Sequence, residues 1–507
     1  VKPTLRSARS VLAERRAATP SDTVYLIYVS ALVTALIAAP AVVAIVRGLA
    51  QPQVVAALSS PGSARIVGMI AALLAAGALL LGRTRGPVVP SPFLTEFLVG
   101  SDLPRSATVL RPFLASGAVL ACSVVAAVGL VVAARVVGGA AASVSAVLVV
   151  LGCLGFSGLL AGLWLVGQSL PRRFTVGLAF VVTVTGATVT VDGTLPFTPW
   201  GWIALLWQGL GEPTVWWPAL ALALSSLALL GVPALLGNLR ADEMMAQSRR
   251  WQSISALVQT GDVAGASGAL RDPPTRGRRR RMPLTGPLLV AIVQRDLIAA
   301  GRFPVRIALG SMALVGAGWL TAVTSTMPEG IAWITALAGV SLAYLGVGVW
   351  CDGLRNAADN ATPGSLYGRS ALSMIGSHAV VPVLAAITFG SLGAMGDNNN
   401  VAWWMLLAAF IVLVRVLDCA KGPMPIGLLL PIPTPVGDVS ILNAIAWQAD
   451  ALLIVLIVAG GLTVQVGAAG PGAAGLEATG LGAALWLAVA GALVAALALR
   501  RIRALGR

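Results

Sequence analysis

Twelve apolar runs, each close to the length of a membrane-spanning helix, recur along the whole 507-residue chain. They lie near 24–46, 66–82, 113–134, 141–167, 175–191 and 216–237, and, after a polar gap, near 307–325, 331–350, 371–394, 401–417, 440–464 and 481–499. A helix needs roughly 20 mainly apolar residues to cross the hydrocarbon core of a bilayer. The runs therefore predict an all-α polytopic membrane protein with twelve transmembrane helices. Composition agrees: 57% of residues are hydrophobic and 10% are charged, whereas soluble domains carry about a quarter charged residues. This balance excludes a soluble fold, a disordered chain and a collagen-like array.

The net charge of +15 asks for a spatial explanation. With the N-terminus inside, 31 of the 34 basic residues fall in cytoplasmic segments, and only Arg47, Arg65 and Arg135 fall outside. Basic loops are retained on the cytoplasmic side, so both termini are expected in the cytoplasm and nucleic acid is not expected as a partner. Residues 1–20 lack a short apolar core and a small-residue cleavage site, so the first span is expected to act as its own insertion signal. Cys122, Cys153, Cys351 and Cys419 form no CxxC pair and read as packing residues.

The polar gap divides the chain into a first half at 1–238, a basic connector at 239–287 and a second half at 288–507. Met244, Trp251, Ile254, Leu257 and Val258 recur at nearly helical spacing, which predicts an amphipathic helix ending near Gly261, with its apolar face toward lipid or protein. The run from Arg276 to Arg281 then reads as a solvated linker that fixes topology, with about 1 kcal/mol available per arginine beside anionic lipid. The two halves look like divergent repeats. Each begins with a basic amphipathic segment and a proline, Pro20 or Pro304. Each places a polar loop after its second span, ending in Arg105-Ser106-Ala107 or Arg369-Ser370-Ala371. Tandem halves of this kind place a transport pathway at the repeat interface.

The outer loop from Asp192 to Trp217 holds five of the fourteen tryptophans and no basic residue. Aromatic rings favour the membrane interface, so Trp200, Trp202 and Trp207 are candidates for a short interfacial or re-entrant helix forming an outer gate, set against an ordinary aromatic belt. Ionisable groups within spans are costly and point to function. Gln448 and Asp450 are the clearest candidates for a pathway contact, against a hydrogen-bonded structural aspartate, and Arg415 and Asp418 are placed to pair near a helix end. No metal site is expected, because His378 is the only histidine. A phosphate loop needs GxxxxGK[ST], which neither Lys2 nor Lys421 satisfies, so any ATP-driven activity must use a separate ATPase.

Gly155, Ser157 and Gly158 resemble the GxSG motif of rhomboid proteases. A serine nucleophile needs a base, for which only His378 is available, and Gly158 with Gly162 makes a GxxxG packing motif; close packing is the preferred reading.

The repeated order of amphipathic segment, two spans, polar loop, three spans, outer loop and last span resembles the ABC-2 type permeases of ABC exporters, as a fused pair of units of an actinobacterial sort. The loop from Ser91 to Pro112 looks like the coupling segment of that family. The resemblance implies a non-enzymatic transmembrane subunit that moves a hydrophobic or amphipathic compound outward across a bacterial plasma membrane. ATP and Mg would be held by a partner ATPase, in two copies, with membrane lipid as the other partner. It implies ATPase coupling through Glu96, Asp102, Arg105 and Arg111 in the first half and through Asp352, Arg355 and Arg369 in the second. Helices 2, 5, 8 and 11 would line the path. Residues 466–480 depart from the pattern, being a Gly/Ala-rich outer loop without tryptophan. An ATP-independent twelve-helix carrier and a membrane-complex scaffold are the alternatives.

Overall fold

The computed structural model describes Val24, Tyr28, Ala31, Leu32 and residues 34–99, 104–139, 144–190, 193–209, 216–259, 263–269, 286–327, 329–361, 368–395, 398–422, 424–429, 433–434, 437–438, 440–468 and 473–505. The apolar runs form helices, and the chain divides into two units, 1–256 and 257–507. Among the described residues ten helices are long and apolar enough to cross a membrane, four in the first unit and six in the second. The protein is a helical, multi-pass membrane protein.

In the first unit a π-helical turn, Thr34–Ala38, leads into α1 (Ala39–Leu49) and the short α2 (Pro52–Leu58). The spans α3 (Pro61–Thr84), α5 (Arg105–Val137) and α6 (Val144–Ser169) follow, with the short α4 (Pro92–Val99) between the first two of them. Next come α7 (Arg172–Ala187), α8 (Pro199–Gln208), α9 (Trp217–Ser225) continued by α10 (Val232–Gly237), and α11 (Ala241–Gln259). Sequence sets several starts directly. Ser60 accepts from the Ser63 amide at 3.2 Å, with Pro61 opening α3, and Thr198 accepts from the Gly201 amide at 3.1 Å, with Pro199 opening α8. A capping hydroxyl takes one of the unpaired first-turn amides, and proline forgoes another. The fifth apolar run yields a helix of only 16 residues, α7. At 1.5 Å per residue, that is about 24 Å, short of a full bilayer core.

Helix α3 is the hub of this unit, with α6, α7 and α8 packed against it. Its buried face is Ala71, Ala72, Ala75, Ala76 and Leu79, and small residues let backbones approach closely where lipid is as apolar as the helices themselves. The crossing with α6 is tightest at a glycine pair. A β-carbon on Gly82 would lie 2.7 Å from the Gln168 nitrogen, and one on Gly167 would lie 2.8 Å from the Leu79 carbonyl carbon.

The second unit opens with α12 (Val263–Ala269) and α13 (Leu288–Gly301). Its spans are α14 (Pro304–Val323), α15 (Glu329–Trp350), α17 (Ala371–Ala394), α18 (Asn398–Cys419), α19 (Ser440–Ile454) joined through a π-helical stretch, Val455–Gly460, to α20 (Gly461–Ala468), and α21 (Ala473–Leu505). The short α16 (Asp352–Asp359) stands between α15 and α17. A two-residue antiparallel pair, 433–434 with 437–438, precedes α19. Matching packings recur in the two units: α5 on α6, α3 on α6 and α7, α6 on α9 and α5 on α10 in the first, and α17 on α18, α15 on α18 and on the π-helical stretch with α20, and α18 and α17 on α21 in the second. The opening helices differ: α14 lies along α15 and α17, whereas α1 packs chiefly on α5. The core of the second unit centres on α18, with Trp404, Leu407, Ile411, Val414 and Leu417 buried, and the Trp404 indole donates to the Ala386 carbonyl at 3.0 Å.

The expected connector resolves into two parts. Its amphipathic stretch is α11, and Met244 and Ile254 on that helix are buried. The run from Arg276 to Arg281, the amphipathic segment before Pro20, and Asp102 lie outside the described residues.

Candidate functional site

Three groups of side chains stand out, and two of them surround the segments that carry the short helices α4 and α16. In the first unit, α11 is strapped to the loop that leads from α3 to α4. The Gln247 amide donates to the Gly82 and Arg83 carbonyls at 3.3 and 3.2 Å and accepts from the Gly86 amide at 3.4 Å. The Gln168 side chain, at the end of α6, donates to Gln247 Oε1 at 3.0 Å and to the Val88 carbonyl at 2.9 Å. Both glutamines are buried. Helix ends leave backbone groups unpaired, and here the Gln247 amide satisfies two carbonyls that α3 exposes as it stops, while Gln168 holds Gln247 and the Val88 carbonyl of the loop. The Trp251 indole adds a bond to the Thr84 carbonyl at 2.9 Å, with the Arg85 guanidinium 4.8 Å from its ring centroid. Ser248 donates to the Pro90 carbonyl and accepts from Thr95 in α4 at 3.3 Å. Arg105, at the start of α5, donates to the Leu239 carbonyl at 2.8 Å and so ties α5 to the residues that follow α10. Glu96 and Arg111 are exposed.

In the second unit the counterpart loop is held by ionisable groups. Arg306 grips the Asp352 carboxylate with both guanidinium nitrogens. This fork geometry favours bidentate carboxylate binding. Asp296 of α13 meets His378 of α17, with Nδ1 to Oδ2 at 2.6 Å, and both side chains are almost wholly buried. Gly353 lies directly against that carboxylate, closer than any β-carbon would permit. Leu354 and Ala358 are buried, Arg355 is half-buried, and Arg369 is exposed. Ser370 caps α17 by accepting from the Ser373 amide at 3.3 Å, while α5 starts at Arg105 after Pro104. The matching tripeptides of the two halves thus mark helix starts.

The third group lies at the ends of α15, α18, α19 and α21. Arg415 is 6% exposed and sends Nε and Nη2 to the Tyr344 carbonyl at 3.0 and 2.6 Å. Its Nη1 pairs with Asp418 at 3.1 Å, and its guanidinium carbon lies 3.4 Å from the Tyr344 ring centroid. Asp450 is held by Lys421 and, at 3.5 Å, by Arg501. Lys421 also lies over the Trp447 ring at 4.3 Å. Asp450 therefore carries two cationic partners. Gln448, in the same helix, is half-buried. Farther along the chain from α19, a groove of about 310 Å³ beside the π-helical stretch is lined by Ile457, Leu462, Gln465 and Trp486 among others.

The aromatic loop forms α8, the short helix expected there. Trp200 and Trp207 are buried, and all three indoles donate to backbone carbonyls: Trp200 to Thr185 at 3.0 Å, Trp202 to Pro196 at 2.6 Å and Trp207 to Leu58 at 2.8 Å. These rings dock α8 onto protein. The Ser157 hydroxyl donates to the Cys153 carbonyl at 2.7 Å, and a β-carbon on Gly155 would meet the Leu222 backbone at 2.7 Å. The GxSG stretch is a helix-packing surface, and His378 is engaged with Asp296 in the other unit.

Sequence reasoning missed the Asp296–His378 and Gln168–Gln247 pairs. The available signals were a lone carboxylate in α13, a lone histidine, and a glutamine ending an otherwise apolar span. Comparison with protein-family models, curated proteins and solved structures returns no match.

Proposed function

We propose that this chain is the membrane-spanning permease subunit of an ABC exporter, moving a hydrophobic or amphipathic compound outward with ATP hydrolysed on a separate ATPase. The reading takes the two shorter apolar helices, α1 with its preceding residues and α7, as spans as well. It thus has twelve spans in two six-helix halves, with both termini on the cytoplasmic side of a bacterial plasma membrane. One observation carries it: each unit sets a short helix, α4 or α16, between its second and third spans and ties that region to its neighbours through buried side chains. Coupling between a nucleotide site and a pathway needs a physical link that has two arrangements. A helix clamped by Thr95 to Ser248, or by Asp352 to Arg306, transmits a push to the spans instead of absorbing it. Two such elements call for two ATPase copies, which bring ATP and Mg.

Affinity purification of the full chain in mild detergent is expected to recover an ATPase, and transport in vesicles is expected to survive collapse of the proton gradient while ATP is maintained. A monodisperse chain that transports under an imposed pH gradient, with no nucleotide-binding partner, would replace this reading with that of an ATP-independent carrier.

A further inference from the structure

We infer that the two short helices are not interchangeable docking elements: α4 is an apolar anchor that seats in a partner's apolar groove rimmed by basic side chains, whereas α16 offers only polar contacts. In α4 the inward side is taken by Thr95, which is buried and bonded to Ser248. The outward side exposes Phe93 at 65% and Phe97 at 52%, with Glu96 exposed beside them. Residues four apart stack on one helix face, so the two rings form one ridge. Large aromatic side chains exposed together on a rigid element are the usual anchors of protein interfaces.

The charge pattern selects protein over lipid as the occupant. Helices that lie in a membrane interface carry lysine or arginine on their polar face, and the cytoplasmic leaflet is anionic. Helix α4 has no basic residue and sets a carboxylate next to its rings. An apolar groove with an arginine or lysine at its lip satisfies both features.

Helix α16 is built the other way round. Its apolar residues Leu354 and Ala358 are buried, Asp352 is committed to Arg306, and Gly353 is pressed against Asp296. What it exposes is Asn356 and Asp359. Two identical grooves cannot be equally complementary to both helices. The identity of the partner as an ATPase rests on the permease reading; the chemistry of the anchor does not.

The test places a benzophenone side chain at position 97 of the full chain in native membranes and identifies the adduct by mass spectrometry. It then measures recovery of the adducted protein with Phe93→Ser/Phe97→Ser, with Phe97→Leu, and with Asn356→Ala/Asp359→Ala. All four positions are at least half-exposed or polar, and equal yield and monodispersity confirm folding. We expect an adduct on an ATPase, in an apolar segment flanked by a basic residue. Recovery should fall at least tenfold for the double serine variant, be largely restored by Phe97→Leu, and change less than twofold for the α16 variant. An adduct of the same chemistry on a protein without a phosphate loop would keep the anchor and remove the permease reading. Lipid adducts alone, no adduct, or equal losses from the two helices would overturn the anchor, whatever ATPase co-purifies.

Discussion

At the scale of single residues, the second unit commits its rare intramembrane and near-membrane charges to pairs. Burying a polar group without a partner costs about 1–3 kcal/mol, and more when it is charged, so each pair is worth more by its integrity than by its net attraction. His378→Leu, which leaves the Asp296 carboxyl buried and unpartnered, is expected to lower the thermal unfolding midpoint of the full chain in detergent. The double variant His378→Leu/Asp296→Leu should recover part of the loss, because replacing both members of a buried pair is far milder than removing one. A single variant that melts like the parent would remove the pair from the stability of the fold. Cys351, directly after α15, has its thiol pushed up to about 11 by burial. The thiolate is the reactive form, and at pH 8 a thiol of that kind is ionised at roughly one part in a thousand. In a chain carrying Cys122→Ser, Cys153→Ser and Cys419→Ser, maleimide is expected to label Cys351 only after unfolding. Labelling of the folded chain at the rate of a free thiol would contradict that burial.

At the scale of elements, the join between α3, α6 and α11 depends on two things that act together. The Gly82 and Gly167 backbones touch, and the Gln168–Gln247 pair satisfies the backbone groups that this contact leaves beside the loop. Gln247→Leu strips partners from the Gly82 and Arg83 carbonyls at once. It should cost about 1–3 kcal/mol, read as a lower melting midpoint, and the same change made in a Gln168→Leu background should cost clearly less. Additive losses would show that the two amides act independently. Helix α11 is tied to the loop that leads to α4 at both ends, through Trp251 to the Thr84 carbonyl and through Ser248 to the Pro90 carbonyl.

At the scale of the whole molecule, both units repeat one order of elements but differ in how that order is secured. Around the loop before its short helix the first relies mainly on the Gln168 and Gln247 amides and the Trp251 indole, with an Arg83–Glu243 pair at 3.6 Å beside them, whereas the second relies on the Arg306–Asp352 and Asp296–His378 pairs. The fifth helical segment also differs, being a 16-residue helix in the first unit and a helix interrupted by a π-helical stretch in the second. π-Helical turns are often found at functional sites, and this one borders the groove lined by Ile457, Gln465 and Trp486. Reporter fusions at either terminus and within 260–285 are all expected to report the cytoplasm. A reporter at position 192 is expected to report the outside. Opposite sidedness for 192 and for a neighbouring fusion near 140 would remove α7 from the set of spans.

The sequence alone determined that the chain lives in a membrane as helices, roughly where most of those helices run, and that apolar runs on either side flank a polar connector; their starts were set up to eight residues earlier, as at Arg105 and Ala473. These properties are local. An apolar run of membrane length, a serine or threonine cap and an N-terminal proline act within a few residues of themselves, and they are readable without knowing any neighbour. Tertiary structure alone decided what the polar residues do. Asp296 and His378 are 82 positions apart, Gln168 and Gln247 are 79 apart, and Gly82 is recognisable as half of a helix crossing only once Gly167 is seen against it. The tryptophans of α8 show the same limit: composition predicted a short aromatic helix, but whether its rings face lipid or protein depends on where the Thr185 and Leu58 carbonyls lie. Partner choice for a buried polar group is set by distant chain segments, because in an apolar surround each donor must find an acceptor wherever the fold has brought one.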